Sequence, residues 1–339
     1  MGSAVAVRAL CHHAWMTFDQ SWLDRTSAWW AKADRAHNHL RSLDQLVAKF
    51  RASEPSMVVP RPTDMPGRTE YRLHIHNPMP PEISTTIGDI LHNLRSALDS
   101  LAYEIALRGV DRPLTAKEER ACVFPVRDTP EQFEQFFNEV FGRERIPIRA
   151  SLYGAQARAA FRSVQPFRIH EEAILLGVQV TETYEQEYRW SELYRLAQLS
   201  NLDKHRRLTR MAWRSELVYW MSNGPSQRRW LGGDGTFTDG SVLGYIVGQD
   251  ADVGDELFHD FNLVLADDPA HDPSDPASNT PDVVDMLNRW HQYITGWVFG
   301  RVFGVMSSDG TIYSEAPADA RGHAPTMSSA EPRTQPPDP

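Results

Sequence analysis

The residue types best suited to chemistry sit in two separated stretches. One is Ile90-Leu-His-Asn-Leu-Arg-Ser-Ala-Leu-Asp99, and the other is Leu196-Ala-Gln-Leu-Ser-Asn-Leu-Asp-Lys-His-Arg-Arg-Leu208. On a helix, His92, Arg95, Asp99 and Tyr103 recur at three- and four-residue steps and share one stripe beside the apolar face. Ser200, Asn201, Asp203, Lys204 and His205 interrupt a second helical, partly apolar pattern. If both helices pack on one core, Arg95 and Asp99 meet Asn201, Lys204 or His205, because a buried charge needs a partner.

Such a cluster could do acid–base work. Asp99 would polarise His205, while Arg95 and Lys204 would hold an anion such as phosphate. His92, Asn201 and Asp203 are then the surrounding ligand-binding candidates. The competing reading is an ion-pair and cap network that locks two helices together, since Ser200-Asn-Leu-Asp203 is itself close to a capping box. Directly after it, Arg206, Arg207, Arg210 and Trp213 form a basic run with one aromatic. That run could contact RNA phosphates and stack a base, or be a solvated helix face.

The elements that must position these groups follow from periodicity. A long helix is expected from about Phe18 to Arg51, with Trp29, Ala33, Ala36, Leu40, Leu43, Val47 and Phe50 on its seam. Residues 53–67 hold four prolines and read as a loop. Residues 70–76 alternate and read as a strand. Ser84 or Thr85 is the expected cap of a helix running to about Arg108, whose core stripe is Ile87, Ile90, Leu91, Leu94, Leu98, Leu101 and Ile105. Irregular chain is expected over 112–129, shorter helices over 130–141 and 150–163, and a helix from 184 through the polar stretch to about Trp213. After residue 214 the period changes to two, predicting strands at 217–221, 241–247 and 257–265. Thr280-Pro281 is the expected start of a last helix.

The fold class expected is α+β. A helical bundle domain would occupy 17–214. A small antiparallel sheet and a returning helix would occupy 215–306, between a frayed 1–16 and a disordered, proline-containing tail over 307–339. Gly296, Gly300 and Gly304 line one helix face, which would serve either packing on the bundle or a homodimer seam.

Composition narrows the classes. The net charge is −10, and residues 250–339 hold 16 acidic and 4 basic residues, so the rest sums to +2. An acidic total argues against a general nucleic-acid binder while leaving room for a local basic site. Two cysteines and no leader-like segment point to the cytoplasm. The longest weakly polar run, 294–306, contains Arg301 and is too short to span a bilayer, so no membrane partner is expected. The histidine pairs His12-His13, His37/His39 and His74/His76 lack ligand companions, so no metal is expected. No nucleotide or nucleophile-elbow motif implies a cofactor.

The stretches Ile87 to Leu101, Phe124-Pro-Val126, Val164-Gln-Pro-Phe167 and Leu199 to Arg206 together resemble an uncharacterised bacterial family of actinobacterial type. Its sharpest pieces here are Leu94-Arg-Ser-Ala-Leu-Asp99 and Asn201-Leu-Asp-Lys-His205. The resemblance implies a helical domain with a trailing sheet and a last helix. More remotely, the helical part is similar to HEPN domains, bundles found in bacterial toxin and defence ribonucleases. Their catalytic signature, an Arg followed by four to six residues and a His, is read as absent: Arg195 to His205 is too long and Arg72 to His76 too short. The resemblance thus implies the scaffold and transfers no nuclease residues. Two functions stand as expectations. One is a non-catalytic binding or interaction module whose cluster is structural or holds a small anion. The other is an RNA-processing enzyme using His205 with Arg95 and Lys204.

Overall fold

The computed structural model describes residues 27–110, 112–140, 147–175, 191–204, 211–221, 227–230, 238–247, 256–266, 268 and 282–307. The expected N-terminal and C-terminal extensions, and the start of the first helix, lie outside them.

Helix α1 (Ala28–Ala52) and helix α2 (Pro81–Val110) form the spine and pack along each other. Every expected seam residue of α1 is buried, and so is every expected core residue of α2. Each such Leu or Ile removes enough apolar surface to contribute about 1.5–3 kcal/mol. Helix α2 begins earlier than its expected cap. Pro81 occupies the first turn, where a missing N–H costs nothing. The Thr85 and Thr86 hydroxyls instead donate back to the Glu82 carbonyl inside the helix.

The connection between these helices is a hairpin: the strand expected over 70–76 is present, and residues 56–62 form its partner where a loop was expected. Strand β1 (Ser56–Pro62) pairs antiparallel with β2 (Arg68–Ile75). The prolines are tolerated for a geometric reason. Thr63 N–H donates to Arg68 O and His76 N–H to Pro55 O, so odd-numbered positions of β1 face β2. Pro60 and Pro62 therefore lack only N–H groups that would point away from the sheet, as suits an edge strand.

Short helices α3 (Ala116–Ala121), α4 (Pro130–Asn138), α5 (Ile148–Leu152), α6 (Ala155–Arg162) and α7 (Arg168–Leu175) follow. The helix expected over 150–163 is thus two helices, parted at Tyr153-Gly154. Helix α3, absent from the sequence expectation, starts with a capping box in which Thr115 and Glu118 satisfy each other's backbone N–H groups. Helix α8 (Glu192–Lys204) packs on α2.

The helix expected to reach Trp213 does not do so. Strand β3 (Met211–Met221) includes that residue and pairs with β6 (Glu256–Leu265) as a two-stranded sheet. Strands β4 (Gln227–Trp230) and β5 (Val242–Val247) join the hairpin in a four-stranded sheet of order β1-β2-β5-β4. The sheet thus draws half its strands from residues 56–75 rather than only from beyond 215. Gly240, at φ +82°, makes the turn into β5, and its N–H donates to Leu73 O at 2.8 Å.

Helix α9 (Val283–Gln292) starts from Asp282, whose carboxylate accepts from Val284 N–H, and the expected start at Thr280-Pro281 lies outside the described residues. The helix continues through a π-helical turn (Tyr293–Val298) into α10 (Phe299–Ser307). Helix α10 packs on α6; of the three glycines Gly300 is buried, whereas Gly296 has open space around it. The class is α+β, mainly helical, and no described helix is long and apolar enough to cross a membrane.

Candidate functional site

Arg95 and Asp99 pair one turn apart on α2, at 3.0 Å. Their second partners are not on α8. Asp99 Oδ1 accepts from the Phe124 backbone N–H at 2.9 Å, and Arg95 Nη2 donates to the Phe124 carbonyl at 2.8 Å. The pair therefore grips both backbone groups of one buried residue in the extended segment that follows α3.

The same segment is held from other sides. Gln165, 1% exposed, donates to Pro125 O and Phe161 O and accepts from Arg127 N–H, each at 2.9 Å. Arg149 of α5 donates to Ala121 O at 3.1 Å and Phe136 O at 3.2 Å, with its guanidinium 3.9 Å over the Phe136 ring. Residues 121–127 thus have backbone groups bonded by side chains from α2, α5 and the turn after α6. A buried segment without a ladder needs such partners. Burial pushes the Cys122 thiol up from its usual range, and burial likewise raises the Tyr153 phenol, which donates to Ala102 O at 3.3 Å.

Three of the motif stretches read from the sequence therefore converge here: Leu94 to Asp99, Phe124-Pro-Val126 and Val164 to Phe167. What they build is a clamp. One Asp99 oxygen, Oδ1, takes both the Phe124 amide and Arg95.

The other candidates fall apart from this pair. His92 is exposed on α2. Ser200 is buried, as its place on the core line of α8 required, whereas Asn201 is exposed and no described contact joins it to Arg95 or Asp99. For Asp203 and Lys204 the structure describes only the backbone, at the end of α8. His205, Arg206, Arg207 and Arg210 lie outside the described residues. Trp213 is on β3, opposite Leu263, and so does not continue a basic helix face.

One polar pair was not read from the sequence at all. Arg195 of α8 and Asp268, just past β6, are both buried and form a two-armed ion pair, with Nε to Oδ1 at 2.8 Å and Nη2 to Oδ2. The guanidinium also meets the Met286 sulfur and lies 5.0 Å from the Trp290 ring centre. The available signal was a lone Arg on the buried side of α8, four residues before Leu199.

The Arg-His spacing treated as absent does occur twice, at Arg8–His13 and Arg68–His74. The first lies outside the described residues. The second lies along β2, where six residue steps of strand separate the two Cα atoms by roughly 20 Å. That is too far to act on one phosphodiester. Among the described residues no group of three His, Cys, Asp or Glu side chains could hold a metal. No protein-family model, curated protein or solved structure matches this chain.

Proposed function

We propose that the protein is a non-catalytic binding or interaction module of the cytoplasm, and that Arg95 and Asp99 are structural groups. The observation that carries this is the double hydrogen bond to Phe124, in which Asp99 Oδ1 accepts from the backbone amide and Arg95 donates to the carbonyl. In the catalytic alternative the acid–base group is His205, and Asp99 would only polarise it. Arg95 is likewise engaged by a carbonyl and a carboxylate, which weakens the case for an anion held at this pair.

The test is a cleavage screen of RNA and nucleotide substrates with the wild-type chain, His205→Ala and Asp99→Asn. The expected result is no turnover above buffer in any of the three. Turnover in the wild type that disappears in His205→Ala would establish the RNA-processing alternative and overturn this reading.

A further inference from the structure

The four-stranded sheet has two faces of different chemistry. On one, Leu73 is buried and Val58 and Ile75 pack against the bundle core. Pairing register defines the other: Arg61 lies opposite Glu70, Glu70 opposite Tyr245, and Val59 opposite Arg72. Arg68 shares that face, two residues from Glu70. At the far edge, Arg229 of β4 occupies the register position opposite Tyr245.

Among the described residues this outer face carries Arg61, Arg68, Arg72 and His74 with two carboxylates, Glu70 and the Asp239 that pairs with His74 at 3.1 Å, on a chain whose net charge is −10. Glu70 is taken up by Arg72 at 2.5 Å. Arg61 is exposed and has no hydrogen bond or ion pair among the described residues. The Arg68 guanidinium lies 3.7 Å over the centre of the Tyr245 ring, its Nε has no partner, and its Nη1 reaches the Met65 sulfur at 3.5 Å. Among the described residues, neither the exposed Arg61 nor the half-buried Arg68 has a carboxylate partner. Pro60 and Pro62 remove two of the four outward N–H groups of the adjacent sheet edge, which disfavours strand addition there.

We propose that this outer sheet face binds single-stranded nucleic acid, with Arg61 and Arg68 on the phosphodiester backbone and the Arg68–Tyr245 stack as a platform for one base. Guanidinium forks match phosphate geometry bidentately. Bases stack on aromatic rings and on guanidinium planes with little regard to sequence. An acidic peptide could use the charge but would leave the stacked plane unused, so nucleic acid is the better fit. Cationic groups gathered on one face of an acidic protein also direct an anionic strand to that face alone. This inference goes beyond the non-catalytic reading and uses neither Asp99 nor His205.

The experiment is fluorescence anisotropy of the full chain with labelled oligouridylate and oligothymidylate, at low and at physiological salt. Binding that weakens with salt is expected, with the RNA and DNA arms showing whether the 2′-hydroxyl is read. Arg61→Ala and Arg68→Lys should each weaken binding by roughly 3- to 10-fold, the second because it keeps the charge and loses the plane. Arg41→Ala, on the exposed side of α1, should bind as wild type. Arg61 has no described partner to lose, so its variant tests the face without testing the fold. No binding at low salt, unchanged binding by Arg61→Ala, or equal binding of a labelled polyglutamate would each overturn the proposal. Cleavage of the oligonucleotide would sink the non-catalytic reading and leave this one standing.

Discussion

Two arginine–aspartate pairs in this molecule look alike in composition and do different things. Arg95 and Asp99 sit one turn apart on one helix, with side chains 15% and 28% exposed. Arg195 and Asp268 come from elements 73 residues apart and are 5% and 0% exposed. The first pair is a local couple whose remaining hydrogen-bonding capacity is turned onto a loop backbone. The second closes on itself and joins α8, the end of β6 and α9. The lesson is that burial and sequence separation decide what an ion pair does. A partly wet local pair can hold a third group, while a dry long-range pair chiefly answers its own desolvation.

The largest expected effect breaks the buried pair. Asp268→Ala leaves Arg195 uncompensated and should cost about 3–5 kcal/mol in chemical denaturation. Replacing both partners, as Arg195→Met with Asp268→Leu, should recover most of that loss. A double variant as unstable as the single one would show that the pair does more than neutralise itself.

Next comes the half-buried clamp. Asp99→Ala strands the buried Phe124 N–H and should cost about 1–3 kcal/mol, whereas Asp99→Asn keeps an acceptor and should cost less. Hydrogen exchange at Phe124 reads this directly, and an amide equally protected in Asp99→Ala would refute the clamp. Thr115→Ala removes the cap of α3, which leads into the clamped segment, and should cost about 1 kcal/mol. If unfolding midpoints ranked the cap above the clamp, the contrast drawn between local and long-range polar contacts would be wrong.

The smallest effect is a pH slope from a neutral buried group. Burial first, and then the neighbouring His37, hold the His291 pKa below its usual value, while its ring donates to Ala33 O at 3.2 Å when neutral. A depressed histidine contributes stability that is full above the unfolded value of about 6.5 and declines as pH falls through it towards the folded value. Denaturation on either side of that value should show this decline, and His291→Gln should flatten it.

The long apolar stripes were legible because they need nothing but periodicity: all seven seam residues of α1 and all seven of α2 are buried where spacing put them. The polar candidates were legible as residue types and not as contacts. The Arg95–Asp99 pairing follows from a four-residue step, but its target, Phe124, is a backbone pair, and a backbone carries no residue-type signature. Gln165 and Arg149 were hidden for the same reason. The second strand of the hairpin was legible from alternation, whereas the first, 56–62, was misread because proline density marks loops on average, and only pairing direction shows that Pro60 and Pro62 occupy the outward positions of an edge. The strand at Met211 was misread because a helical pattern was extended through a charged run whose apolar residues fit either period.

The chain's own order of residues therefore determined its class, its two central helices and the faces they bury, since those rest on local geometry and the hydrophobic effect. Tertiary structure alone decided which polar group meets which. Such contacts depend on the relative placement of elements far apart in sequence, and there a shift of an ångström or two separates a hydrogen bond from no bond at all.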